Sequence, residues 1–330
     1  MAKQKGSGKF MSVAFMMSAI GLLAICTLSF YGFEIYGITR IGAALASGGL
    51  FCVGLEGMAY AIKAKGTTND FKKWRIVEIV AVAAMLVVIV GSAPFVIAGY
   101  NYLSGSHKAL GKRAVLSVEA MVGRYVEVQN DRLDATVAGL SNFAAHHVNH
   151  AGNGVQRYIS QKVLGGSPAT MLNNHRIEDF YFRTKEYIEN GSNEVNRIAY
   201  KRELINGFKR RVNRWRAYDI KPLADNMRAF ADTLAVELGD MAKSVRLPLI
   251  QASGSSYELV ETEPPVFSTS ADIIQLQLEI AGIKDINGRS LLAVLLLAAL
   301  FLFNYFMSMR SLAAPVGRGP KISDKYGFPL

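Results

Sequence analysis

Four apolar blocks, each long enough to cross a lipid bilayer, limit what this chain can fold into. They cover residues 10–31, 41–62, 76–98 and 291–309. A helix rises about 1.5 Å per residue, so about 20 residues span a hydrocarbon core of about 30 Å. Because backbone polar groups must be paired inside lipid, each block is predicted to be a helix. The sequence therefore predicts an integral membrane protein with four transmembrane helices.

The first block could also be read as a secretory signal, because three lysines precede it. A lipoprotein signal would place a small residue before its cysteine, whereas Ile25 precedes Cys26. We therefore expect the block to be retained as a membrane helix, with cleavage as the alternative.

Basic residues lie on one side of the four blocks. Twelve lysines and arginines, opposed by two aspartates, flank the N-terminus, the connection after the second block and the C-terminal tail. Lys and Arg near the ends of membrane spans stay in the cytoplasm, so both termini are predicted to be cytoplasmic. Residues 101–289 are then predicted to be exported to the periplasm. The exported stretch holds 24 bases and 21 acids, so most of the net charge of +11 lies beside the bilayer. This distribution favours contact with lipid and no nucleic-acid partner.

The predicted organisation has four parts. A three-helix membrane region covers residues 1–100, an extracytoplasmic helical domain covers 101–289, a fourth transmembrane helix covers 290–309 and a cytoplasmic tail covers 310–330. The two cysteines, Cys26 and Cys52, fall in predicted spans, so the exported domain has no disulfide. With about 189 residues it can bury a core without covalent crosslinks.

Helical periodicity dominates the exported domain, and the predicted fold class is mostly α. Apolar residues recur every three or four positions over 109–144, over 177–215 with a break near Asn190, and over 223–245. The last stripe has coiled-coil spacing, and either the domain or a partner could cover it. A minor β contribution is expected near 255–282. Apolar and polar residues alternate over 274–280, which leaves strand and helix as alternatives for 273–283.

Two polar residues, Glu56 and Asn304, fall inside predicted spans. An ionisable group at such depth costs on the order of 2 to 3 kcal/mol and usually faces a bundle interior or a water path. Glu56 is thus predicted to be buried between helices, either as a hydrogen-bonded or protonated packing residue or as an ion-coupling residue. Small residues on its helix allow close packing, with candidate positions Gly42, Ala46, Gly48, Gly49 and Cys52. Glu78 lies three residues after Arg75 and is expected to reach the membrane interface.

Outside the predicted spans, two clusters are candidate sites. His146, His147 and His150 lack a carboxylate or cysteine to complete a metal site, which favours a solvated helix end. A basic run is either a solvated face or a surface for an acidic partner, with candidate residues Lys209, Arg210, Arg211, Arg214 and Trp215. No phosphate-binding loop or nucleophile motif is present in the sequence, so we expect no enzyme activity, cofactor or metal.

In outline, these four spans with one large exported domain between the last two resemble multispan inner-membrane subunits of bacterial trans-envelope secretion machines, such as type VI systems. The resemblance is one of topology, and it implies periplasmic placement, oligomerisation and other membrane or periplasmic subunits as partners. The expected function is a non-catalytic anchoring subunit of such an assembly. One alternative is a sensor or receptor that signals through a separate partner. The other is an ion channel or motor subunit that uses Glu56.

Overall fold

The computed structural model divides the chain into two compact units. It describes residues 7–38, 49, 52–57, 71–147, 154–166, 172–191, 193, 197–253, 256–307, 322–323 and 328–329. The first unit, called the membrane unit, comprises Met1–Ser106, Arg216–Ile220 and Glu279–Leu330. The second, called the helical unit, comprises His107–Trp215 and Lys221–Leu278.

The described part of the chain is mostly α-helical, as the sequence predicts. Residues 52–57 are helical, a π-helical turn covers Ile159–Val163, and 3-10 turns cover Ala217–Asp219 and Gly282–Lys284. The helices in chain order are α1 (Ser7–Ile35), α2 (Phe71–Ser104), α3 (His107–His147), α4 (Gly154–Tyr158), α5 (Asn174–Asn190), α6 (Ile198–Arg214), α7 (Ile220–Ser244), α8 (Ala271–Ala281) and α9 (Gly288–Met307). The strands are β1 (Leu249–Ser253), β2 (Ser256–Val260), β3 (Ile322–Ser323) and β4 (Phe328–Pro329).

Within the described residues, three helical stretches are long and apolar enough to cross a membrane. They are Phe15–Ile35, Arg75–Ser104 and Ala271–Phe306. The predicted first, third and fourth spans fall on these stretches. The predicted second span, residues 41–62, lies largely outside the described residues, so the count of four remains a prediction. The tail over 310–330 lies outside them too, apart from β3 and β4.

In the membrane unit, α1 runs parallel to α2 and antiparallel to α9. Tyr31 near the end of α1 stacks on Tyr102 near the end of α2, with ring centroids 5.5 Å apart. Gly21, in contrast, lies against the backbone of Phe301 near the end of α9. An apolar core joins α1, α2, α9 and the 52–57 segment, and its buried members are Cys52, Ala81, Met85, Ile89, Phe301 and Leu302.

Two glycines allow α1 and α2 to touch through their backbones. A Cβ atom on Gly32 would lie 2.0 Å from the carbonyl oxygen of Phe95, and one on Gly99 would lie 1.9 Å from that of Leu28. Both distances are far below van der Waals contact, so only glycine fits at either position. Small residues at such crossings bring membrane helices close enough for extensive packing. The sequence interpretation placed the close packing on the helix of Glu56 and overlooked this crossing.

The helical unit is organised around α3, a single helix that packs against α5, α6 and β1. Its buried residues recur at helical spacing and include Val115, Val118, Val122 and Tyr125. The break predicted near Asn190 is the end of α5, where Gly191 adopts a φ of 63°. This left-handed conformation ends the helix because it suits glycine better than any other residue.

The coiled-coil stripe on α7 is covered inside the helical unit. Leu223, Met227, Leu234 and Leu238 are each at most 1% exposed. Phe230 of the same stripe packs against Phe208 of α6, with ring centroids 5.4 Å apart. Of the two alternatives for this stripe, burial within the domain is therefore correct, and the stripe is not a free surface for a partner helix.

The ambiguous stretch over 273–283 is helical, so the strand alternative is wrong. Its buried residues, Ile273, Leu276, Ile280 and Ile283, follow the three- and four-residue spacing of a helix. Two residues of the apparent alternation, Ile274 and Leu278, are instead 46% and 69% exposed. The β structure of this region is the antiparallel β1–β2 hairpin, in which Leu249 pairs with Val260. This hairpin overlaps the N-terminal edge of residues 255–282, the range in which a minor β contribution is expected.

Candidate functional site: a polar cluster between membrane helices

Glu56 lies on the 52–57 helical segment and is 9% exposed, in the apolar surroundings formed by α1, α2 and α9. Moving a carboxyl group from water into such surroundings is costly unless its polar atoms find partners. The position of Glu56 among the helices agrees with the burial expected for it.

Two of the surrounding helices supply partners to Glu56. From α1, the hydroxyl oxygen of Ser18 lies 2.9 Å from Oε1 and 3.1 Å from Oε2 of Glu56. From α9, Nδ2 of Asn304 donates to Oε1 across 3.3 Å. The Ser18 hydroxyl is also hydrogen-bonded to the backbone carbonyl of Phe301. The structure thus brings the two sequence candidates, Glu56 and Asn304, together and adds Ser18, which the sequence interpretation missed.

Counting hydrogens shows which protonation state completes this cluster. Ser18 has one hydroxyl hydrogen, and a serine hydroxyl that donates to Phe301 cannot also donate to Glu56. An ionised Glu56 has no hydrogen to donate to Ser18, so the oxygens of Ser18 and Glu56 would then face each other with no hydrogen between them. When the Ser18 hydroxyl donates to Phe301, a neutral Glu56 can donate from Oε2 to Ser18 and accept from Asn304 with Oε1. We infer from this arrangement, with Ser18 donating to Phe301, that Glu56 is a carboxylic acid.

Such a cluster can act chemically in two ways. It links α1, α9 and the 52–57 segment through a continuous set of hydrogen bonds, which orients the helices relative to one another. It can also hold one exchangeable proton on Glu56. Loss of that proton would turn the Ser18 hydroxyl away from Phe301 and towards Glu56. Proton release at Glu56 would thereby change a contact between α1 and the backbone of α9.

Glu78 of α2 forms a second polar cluster inside the bundle, and its position relative to the membrane interface stays a prediction. Its side chain is 0% exposed. Nη1 of Arg75 lies 2.8 Å from Oε1 of Glu78, and the Tyr305 hydroxyl donates to the same oxygen across 2.7 Å. Because Arg75 lies one turn earlier on the same helix and Tyr305 lies on α9, Glu78 is paired within the bundle. The sequence signal that could have pointed to this cluster is a carboxylate inside an apolar span.

The packing candidates on the helix of Glu56 are described only in part. Cys52 is 5% exposed and belongs to the apolar core. A Cβ atom on Gly49 would lie 3.2 Å from Sγ of Cys26 on α1, which is a tight contact. The other three candidates, Gly42, Ala46 and Gly48, lie outside the described residues.

The basic run on α6 divides into exposed and buried members. Arg210, Arg211 and Arg214 are exposed, and Nζ of Lys209 lies 3.7 Å from Oε2 of Glu119 on α3. Trp215 is instead 7% exposed and packs over Gly111 of α3, where a Cβ atom would lie 2.6 Å from the indole. Trp215 is therefore a core residue and is withdrawn from the partner-facing set. In the described part of the chain, no three His, Cys, Asp or Glu residues are grouped as metal ligands.

The function of these clusters has to be argued from the chain itself. No family model matches the sequence, and neither a curated protein nor a solved structure matches it.

Proposed function

We propose that this chain is a non-catalytic, membrane-anchoring structural subunit of an envelope-spanning assembly of several proteins. The observation that carries the proposal is the path of the chain between its two units. The chain passes between them after Ser106, Trp215, Ile220 and Leu278, which makes four passages. A domain inserted once into a membrane protein needs only two passages.

The two additional passages belong to the short return segment Arg216–Ile220, which clusters with the membrane helices. Its 3-10 turn packs against α1, and Ala217 is 1% exposed. The backbone N–H of Ala217 donates a hydrogen bond to the carboxylate of Glu34 on α1. This chain path suits an anchoring subunit, because the polypeptide returns to the membrane unit between two segments of the helical unit.

The proposal includes an orientation, with both termini in the cytoplasm, residues 101–289 in the periplasm and the spans in a bacterial inner membrane. The distribution of basic residues supports it. Single cysteines at Ser141 and Ser323, in a background without Cys26 and Cys52, test it in spheroplasts with a membrane-impermeant thiol reagent. We expect labelling at Ser141 alone. Labelling at Ser323 alone would reverse the orientation.

The assembly itself is tested by purification from native membranes in mild detergent after limited chemical crosslinking. We expect specific co-purifying membrane or periplasmic proteins and a particle larger than one chain in its micelle. Changing the exposed Arg210, Arg211 and Arg214 to Glu should reduce this association. The same change at Lys112, Arg113 and Arg124, exposed on α3, is the matched control. A monodisperse monomer without partners would contradict the proposal.

A second candidate function is an ion channel or motor subunit, and the proton held at Glu56 favours it. In that case Glu56→Gln would assemble normally and yet abolish an ion-dependent activity. The anchoring proposal requires instead that Glu56→Gln leave both assembly and export intact.

A further inference from the structure

A basic cleft of about 290 Å³ lies within the helical unit, well apart in sequence from the membrane cluster. It is lined by α3, the end of α4, the π-helical turn, the end of α7, the chain between α7 and β1, and the chain after β2. Its charged and hydroxyl-bearing lining includes Arg132, Tyr158, Lys162, Lys243, Arg246 and Glu261. Residues far apart in the sequence are thus brought together around one cavity.

Arg132 is half-buried at this cleft, and neutral oxygens hold its guanidinium in place. Nη2 of Arg132 donates to Oγ1 and to the carbonyl oxygen of Thr262, across 2.7 and 3.1 Å. Nη1 donates to Oε1 of Gln129 across 3.3 Å. The Thr262 hydroxyl itself donates to the carbonyl oxygen of Leu247, across 3.1 Å, which leaves its lone pairs free to accept from Arg132. The guanidinium is therefore positioned before any ligand arrives.

The positive charge around the cleft is poorly compensated. Among the described residues, no carboxylate lies within 4.0 Å of the charged atoms of Arg132, Lys162 or Arg246, whereas Lys243 pairs with Asp240 across 3.5 Å. Glu261 is the single acid in a lining that contains four bases, so the lining carries a net charge of +3.

Burial and the lack of a nearby carboxylate both disfavour the charged form of Arg132. Desolvation lowers the pKa of the Arg132 guanidinium, since burial disfavours the charged form. An anion in the cleft would offset this cost by supplying a counter-charge and an acceptor for the one remaining N–H.

We propose that this cleft binds a phosphate group, carried by a small phosphate monoester. A doubly charged anion matches the surplus of bases better than a single carboxylate does. Thr262 and Gln129 occupy four of the five N–H donors of Arg132, so one N–H remains for a phosphate oxygen. Lys162 and Arg246 add charge at the rim. The cavity is larger than one phosphate ion and close to the lower limit of small-molecule sites, and Leu247, Pro248 and Pro264 give it an apolar wall for an organic group.

Calorimetric titration of the purified full-length chain, in phosphate-free buffer and a maltoside detergent, tests the proposal. Three probes separate the sources of a phosphate group: inorganic phosphate, glycerol phosphate and short-chain phosphatidic acid, a phospholipid whose headgroup is a phosphate monoester. Saturable binding of either soluble probe supports a free phosphate compound. Binding of the phospholipid alone supports a lipid headgroup as the source. An absence of saturable binding by all three would overturn the proposal.

Variants place the binding in the cleft. Arg132→Gln should weaken the affinity by roughly tenfold or more, and Lys162→Gln and Arg246→Gln by about threefold to tenfold each, since charged hydrogen bonds and rim charges contribute at these levels. The rim residues are exposed, so their replacement should not disturb folding. Arg210→Gln, an equal loss of charge on α6 outside the cleft, should leave the affinity unchanged. Equal affinity in all four variants would place the binding elsewhere and contradict the proposal.

Discussion

Tyr305 donates a hydrogen bond of 2.7 Å to Oε1 of Glu78, and thereby joins α9 to a carboxyl group of α2 that is fully buried. Replacing Tyr305 by Phe removes this donor with almost no change in volume. We expect Tyr305→Phe to lower the free energy of unfolding by about 1 kcal/mol, because interhelical hydrogen bonds in membranes contribute at this level. Thermal unfolding in detergent measures the change, with Phe306→Tyr, at an exposed position of α9, as a control. Identical melting of Tyr305→Phe and the unmodified protein would show that the bond contributes nothing.

The crossing of α1 and α2 at Gly99 should not tolerate a methyl group. The added Cβ atom would lie 1.9 Å from a backbone carbonyl oxygen, which no side-chain rotation can relieve. We expect Gly99→Ala to cost about 2 to 3 kcal/mol, as overpacked cores do. Gly91→Ala, on the same helix with nothing within 4 Å of the added atom, is the matched control and should be neutral or stabilising. The two melting temperatures, measured side by side in detergent, should differ in this order.

The neutral state inferred for Glu56 predicts unequal effects of two replacements. A glutamine can donate to Ser18 and accept from Asn304 as the carboxylic acid does, so Glu56→Gln should change stability by less than about 1 kcal/mol. Leucine can do neither, and Glu56→Leu should lower stability by about 1 to 2 kcal/mol. Both are measured by thermal unfolding in detergent.

A carbodiimide that reacts with protonated buried carboxyl groups provides an independent test of the same state. At neutral pH it should modify Glu56, detected by mass spectrometry of the peptide, while Glu78 beside Arg75 stays unmodified. A Glu56→Gln variant as unstable as Glu56→Leu, together with an unreactive Glu56, would rule out the neutral acid.

The ion pair between Lys201 of α6 and Glu237 of α7 should respond differently to the loss of each partner. The Lys201 side chain is 2% exposed, whereas that of Glu237 is 34% exposed. Glu237→Gln leaves a buried ammonium without its counter-charge and should cost about 2 to 3 kcal/mol. Lys201→Met fills the same space with an apolar chain and leaves a carboxylate that water can reach, so its cost should stay below about 1 kcal/mol. Chemical denaturation followed by circular dichroism compares the two variants, and a larger effect of Lys201→Met would contradict this account.

The sequence predicted the helical elements well where burial follows a regular spacing. The α7 stripe and the break at Asn190 are examples, because side-chain period and a glycine suited to a left-handed turn are local properties. For the stretch over 273–283 the sequence left strand and helix as alternatives, because a run of alternating apolar residues is compatible with a strand until the packing decides which residues are covered.

Only part of the polar cluster could be found from the sequence. Glu56 and Asn304 stand out because charged and amide groups are rare inside apolar blocks. Ser18 does not, since a serine is common in membrane helices and its role depends on which helix lies opposite. Glu78 was assigned to the interface from its distance along one helix, whereas its burial depends on Tyr305 from α9. Contacts between helices are set by tertiary packing, and no periodicity within one segment encodes them.

The return segment Arg216–Ile220 bears on how the helical unit can be studied in isolation. A water-soluble fragment over residues 107–278 would keep Ala217 but lose Glu34, which accepts its backbone N–H, and the α1 surface that covers the turn. The fragment would then expose Ala217, which is 1% exposed in the intact polypeptide, and would open a surface through which fragments can self-associate. Dimers formed by such a fragment would result from the removal of α1 and would not represent a natural oligomer.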